Sequence, residues 1–162
     1  MSSEIRSEKP LCDADQALTA ALKSKALELG ADLVGVGPCE RWEGAPIQMH
    51  WPDATHVVVV AIHHPDACVE LGGIPDAHHL GPHGVQGRMN ERLEFIQFHL
   101  ARWLERQGHN AIPIPATNIW RYRPYGEIER PFGPDLSDIH AAACVGLGEI
   151  GYSKLFLTPE FG

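Results

Sequence analysis

Apolar residues recur at three- and four-residue spacings from Asp15 to Leu29, at Leu18, Ala21, Leu22, Ala26 and Leu29, and Gly30 follows where a left-handed cap would sit. The pattern predicts an amphipathic helix stopped by its glycine. Ala31 to Gly37 is a short apolar run closed by Pro38, and Thr55 to Ile62 (THVVVVAI) is β-branched and continuous, without alternation. A continuous apolar strand is one covered on both faces, so the second run reads as a central strand. Arg88 to Gln107 carries Leu93, Ile96, Leu100, Trp103 and Leu104 on one stripe and reads as the longest helix, with Gly108 as its stop. His109 to Pro115 (HNAIPIP) reads as an edge or terminating strand, because Pro113 and Pro115 cannot donate to a ladder.

Between these elements, His63 to Gly87 is rich in His, Pro and Gly and reads as a functional loop or flap, and Thr117 to Pro134 reads as irregular. The closing stretch, Asp135 to Gly162, opens with Ser and Asp able to cap a helix, runs through Ala141, Ala142 and Ala143, breaks at Gly146, and resumes as a strand near Lys154 to Leu157. The order predicts an α/β (α+β) domain over residues 15–162, helices packed on a small sheet, behind a flexible leader over residues 1–14.

Composition narrows the function classes. A chain of 162 residues that is 44% hydrophobic can bury a core. Its net charge of -8, from 13 Lys+Arg against 21 Asp+Glu, argues against binding nucleic-acid phosphates or an anionic membrane, and points to small molecules or proteins as partners. Met1 to Pro10 has neither an apolar core nor a twin-arginine pair, and no stretch approaches the ~18 apolar residues of a membrane span, so a cytoplasmic location is expected. Cys12, Cys39, Cys68 and Cys144 are too scattered for a zinc knuckle or an iron–sulfur cluster and read as separate reduced thiols.

Several short patterns carry candidate chemistry. Gly146-Leu147-Gly148-Glu149-Ile150-Gly151 satisfies G-x-G-x-x-G, but a helix precedes it and a strand follows, the reverse of a dinucleotide turn. A sharp helix-to-strand connection that leaves bare backbone for a flat ligand, or simply a helix stop with a tight turn, accounts for the same glycines. The histidines include His63-His64, His78-His79 and His83 without a carboxylate or cysteine at ligand spacing, so no metal site is expected. His140 reads as a cap or surface residue. Trp120 to Tyr125 (WRYRPY) groups rings and cations in a segment without period, as clefts often do, and offers the Tyr122 phenol as a proton donor. Rings pinning a loop to the core explain it equally well.

The closing segment, AAACVGLGEIG over residues 141–151 followed by LFLTPEFG over 155–162, resembles the signature of the epoxyqueuosine reductase and corrinoid reductive dehalogenase superfamily. Leu27 to Val36 and the stretches Asn90–Leu93 and Leu104–Ala111 are similar to its opening helix and strand and its long helix. The resemblance implies a nitroreductase-like core, a small mixed sheet with packed helices, that binds cobalamin. It further implies [4Fe-4S] clusters on a C-terminal module or partner chain, so the chain is expected to be truncated before an iron–sulfur module. Gly146, Leu147, Gly148, Gly151 and Thr158 would then border the corrin, and Tyr122, Asp135 and Asp138 would supply catalytic groups. The implied activity is corrinoid-driven reduction of an epoxide or a carbon–halogen bond in a small-molecule substrate, with tRNA as a partner only by family analogy. A non-catalytic corrinoid carrier and a flavin (FMN) oxidoreductase of nitroreductase type are the alternatives.

Overall fold

The computed structural model describes residues 13–39, 51–72, 74, 81–116, 121–122, 132–133 and 136–162. In chain order they form α1 (Asp13–Glu28), β1 (Leu33–Pro38), β2 (His56–Ala61), α2 (Asp66–Leu71) and α3 (Pro82–Arg106). There follow β3 (Arg121–Tyr122), β4 (Phe132–Gly133), α4 (Asp138–Cys144), β5 (Glu149–Ile150) and β6 (Phe156–Leu157). The strands pair two by two, β1 with β2, β3 with β4 and β5 with β6, each time antiparallel. The class is α+β as the pattern predicts. The mixed sheet is not seen: among the described residues no parallel pair occurs.

Three helices stop in the same way, at the glycines the pattern selects. Gly30, Gly108 and Gly146 adopt positive φ of 98°, 86° and 78°. In each case the glycine N–H bonds back to a carbonyl three residues earlier, and the next residue reaches five back: Ala31 to Ala26 at 3.1 Å, His109 to Leu104 at 3.0 Å and Leu147 to Ala142 at 3.0 Å. This pair of bonds is the Schellman arrangement, which satisfies the last carbonyls of a helix while turning the chain. At the first stop Arg92 of α3 donates to the Leu29 carbonyl at 2.7 Å, setting a cation against the negative end of α1.

The β1–β2 pair is covered on both faces. Val34, Val60 and Ile62 pack with Ala26 and Ala31 of the α1 end and Ile96 and Leu100 of α3. Val57 and Val59, of opposite parity, pack with Ala141 and Val145 of α4 and with Leu136 and Leu147. The continuous valine run therefore serves two helical layers, the reason it lacks alternation. On the α4 side β1 presents Gly35 and Gly37, both buried. A Cβ on Gly35 would collide with the Val145 side chain and lie 2.9 Å from Leu147, and one on Gly37 would lie 3.2 Å from Val145. Bare backbone here lets α4 seat directly on the sheet.

Elsewhere the structure departs from the sequence pattern. The His-rich segment contains α2 within the expected loop, and α3 begins at Pro82, six residues ahead of the expected start at Arg88. Pro82 suits a first helical turn, where its missing N–H costs nothing. Residues 109–116 carry no strand. Within the irregular stretch lies the short β3–β4 pair. Most of the leader, residues 1–12, is outside the described residues, and α1 already includes Asp13. Cys39, Cys68 and Cys144 form no disulfide with one another, and burial pushes the Cys39 thiol above its ordinary range. No helix is long and apolar enough to cross a membrane among the described residues.

Adding one methyl at Gly35 should destabilise the fold by about 1–3 kcal/mol through displacement of Val145. Urea unfolding of Gly35→Ala beside Gly108→Ala, whose Cβ meets nothing within 4 Å and adds only local backbone strain, measures the packing component.

Candidate functional site

The segment that carries the family resemblance folds as one unit. Asp138 begins α4, and the exposed His140 ring nitrogen lies 2.7 Å from the Ser137 hydroxyl, a local contact at the helix start. After the stop at Gly146, β5 and β6 form a hairpin closed by Gly151 N–H to Leu155 at 2.8 Å, with Lys154 at a positive φ of 67°. The chain then closes a small loop. Thr158 and Gly162 exchange backbone hydrogen bonds at 3.2 and 2.9 Å, and the Phe161 N–H donates to the Thr158 hydroxyl oxygen at 3.0 Å. Phe161 stacks on His63, centroids 4.3 Å apart, and the His63 N–H donates to the Asp32 carboxylate at 2.7 Å. The closing loop thus sits over the end of β2.

Within this unit the three glycines do different things. Gly146 is a helix stop whose absent Cβ would meet nothing within 4 Å. A Cβ on Gly148 would collide with the Leu157 carbonyl, and one on Gly151 would lie 2.9 Å from the Leu157 side chain. Two of the glycines are therefore bare so that β6 can approach, and only Gly146 faces open space. Leu147 is half-buried against Gly35 and the α4 core.

A chamber of about 950 Å³ lies along the other side of β2. Its wall is built by α1, β2, α3, the segment after α3 and the start of α4. The α3 contribution is a single stripe in which Leu93, Leu100 and Leu104 are interrupted by the amides of Gln86, Asn90 and Gln97. Gln86 donates to the Asn90 side-chain oxygen at 2.9 Å, whereas the buried Gln97 Oε1 has no hydrogen-bond partner. Among the described residues the wall's ionisable groups are Asp15, Asp53 and Asp138 with His56 and His109, with no Lys or Arg. The described ionisable groups of the wall are thus carboxylates and imidazoles.

Of the residues selected from sequence, Asp138 enters the chamber wall. Gly146, Leu147, Gly148, Gly151 and Thr158 belong to the hairpin unit and are not part of that wall. Tyr122 is in β3, of which only the backbone is described, and Asp135 lies outside the described residues. His78 and His79 also lie outside them, and no group of three His, Cys, Asp or Glu able to hold a metal occurs among the described residues. The amides of α3 share the phase of its leucines, so hydrophobic periodicity alone does not separate them from solvent-facing polar residues. Their signal was present in the polar residues at positions 86, 90 and 97, in phase with the apolar face.

Comparison with protein-family models, with curated proteins and with solved structures gives no match.

Substitution separates a packing glycine from an open one. Gly148→Ala should open the β5–β6 hairpin and lower stability by about 2 kcal/mol or more, since its obstacle is main chain, whereas Gly146→Ala should cost about 1 kcal/mol of left-handed strain. Thermal unfolding of the two variants measures the difference.

Proposed function

We propose that this chain is the corrinoid-binding part of a cobalamin-dependent reductase, supplied with electrons by an iron–sulfur donor on a further module or another chain. Its substrate is a small molecule with an epoxide or carbon–halogen bond. The observation that carries the reading is the chamber, which combines large volume, apolar walls and carboxylates without cationic side chains. Its volume is at the upper end of the ~300–1,000 Å³ typical of ligand cavities. Among the described residues the wall has no Lys or Arg to pair with the doubly charged phosphate of FMN. The carboxamide-edged corrin ring makes less demand on such cations.

The resemblance of the closing segment to the corrinoid reductases supports the same reading, and Ala141, which opens that segment, contributes to the wall, as does Asp138 just before it. In this reading the ring occupies the chamber of about 950 Å³. It does not fit flat on the three-glycine turn, where Leu157 occupies the space at Gly148 and Gly151. In this reading Leu93, Leu100 and Leu104 of α3 and Val58 and Val60 of β2 flank the ring and exclude water. Asn90, Gln97 and Asn110 offer amides to its edge. In this reading Asp138 is the carboxyl that passes a proton to the substrate. The corrinoid, when bound, supplies low-valent cobalt as the reductant.

Titration of the purified protein with hydroxocobalamin, with FMN in parallel, tests the proposal by visible absorption. A shift of the corrinoid bands and corrinoid retained through gel filtration are expected, with no retention of FMN. Leu93→Trp, which adds bulk to the chamber, should weaken corrinoid binding at least about tenfold. An unchanged spectrum with no retained corrinoid overturns the reading, and a yellow protein that releases flavin on denaturation replaces it with the flavin alternative.

A further inference from the structure

The segment after α3 has the composition of a strand, yet it pairs with nothing among the described residues. From Asn110 to Ala116 no backbone hydrogen bond joins it to another described residue. β2 is in the same position on one side. Cys39 N–H bonds to the Thr55 carbonyl at 2.8 Å, which sets the phase of the ladder: Thr55, Val57 and Val59 turn their backbone groups to β1, and His56, Val58 and Val60 turn theirs outward. That outward edge has no strand beside it among the described residues. Both Val58 and Val60 and the residues from Asn110 to Ile114 line the chamber. Two bare backbone edges thus border one apolar space, where unpaired N–H and C=O groups are costly and an open strand edge is a template for pairing.

The prolines show which edge of the segment is fit to pair. Pro113 and Pro115 are two residues apart, so in an extended chain both missing donors fall on one edge, and the N–H groups of Ile112, Ile114 and Ala116 fall on the other. One edge is disarmed and the opposite edge is complete. Ile112, on the complete side, leaves 54% of its surface exposed, apolar area that docking would cover. The connection also suits pairing, since α3 packs against β2 and then leads into the segment, the strand–helix–strand path that brings two parallel strands side by side.

We propose that residues 110–116 form a strap that docks on the outward edge of β2 as a third, parallel strand, and that its docking and release close and open the chamber. The proposal concerns the ligand-free protein and does not depend on the identity of the chamber's ligand. Ile112 and Ile114 donate to β2, the prolines face away, and β2 gains a strand on its second edge.

Amide hydrogen exchange on the ligand-free protein tests it. Ile112, Ile114, Val58 and Val60 should exchange at least about tenfold more slowly than an unstructured chain. Ile112→Pro removes a donor from the pairing edge and should abolish protection at Ile114, Val58 and Val60 while leaving the amides of α1 and α3 protected. Pro113→Ala alters only the far edge and should leave protection at all four positions unchanged. Free-chain exchange at Ile112 and Ile114 in the unaltered protein overturns the proposal. So does unchanged protection of Val58 and Val60 in Ile112→Pro.

Discussion

The contact between Val145 and the bare backbone of Gly35 and Gly37 decides where half of this protein stands. A helix as short as α4, Asp138–Cys144, has little stability of its own and forms because its apolar side is buried. Val145 and Ala141 bury that side against Val57 and Val59, and burial of an aliphatic side chain of this size is worth about 1.5–3 kcal/mol. Because β1 offers no side chains at two successive positions of that face, α4 can come close enough for Leu147 to pack there as well. The position of Leu147 then sets where the glycine turn begins, and with it the β5–β6 hairpin and the loop that reaches back to His63.

That chain of dependence changes how the glycine motif is to be understood. A pattern that invites a ligand-binding interpretation is, at two of its three glycines, a device for bringing β6 close to the turn. The candidate ligand space lies instead beside β2, where α3 turns a face of alternating leucines and amides toward the strand. Among the described residues the chamber's ionisable side chains are three carboxylates and two imidazoles. The proposal of a corrinoid rests on the size and apolar lining of this space and on the resemblance of the closing segment, which derive from different residues.

Local chemistry was legible along the chain wherever a signal is confined to a few neighbouring residues. The stops at Gly30, Gly108 and Gly146 are of this kind, because a Schellman turn needs only a glycine after an apolar-periodic run. The valine run of β2 was legible for a similar reason, its lack of alternation implying cover on both faces, and Ala26, Ile96, Ala141 and Val145 supply that cover. The start of α3 was not, since His, Gly and Pro between residues 81 and 88 are weak helix formers and the first turns are held by the remainder of a 25-residue helix. The site was hardest to see. Asp138 was selected for a catalytic role and does reach the chamber wall, but Asn90 and Gln97 were hidden among leucines of the same phase.

By itself, then, the sequence determined the α+β class, the positions of the main helices and their stops and the surplus of negative charge, because each depends on period, composition or a single backbone preference, whereas the strand expected at HNAIPIP did not form. Tertiary structure alone decided that β1 and β2 run antiparallel, that Gly35 and Gly37 serve α4, that Leu157 covers two of the three turn glycines, and that amides of α3 share a chamber with Asp138. The reason is distance along the chain. Residues such as Gly35 and Val145, or Asn90 and Asp138, meet only after the whole core has closed, and no local rule of spacing encodes which of many possible partners a buried face will find.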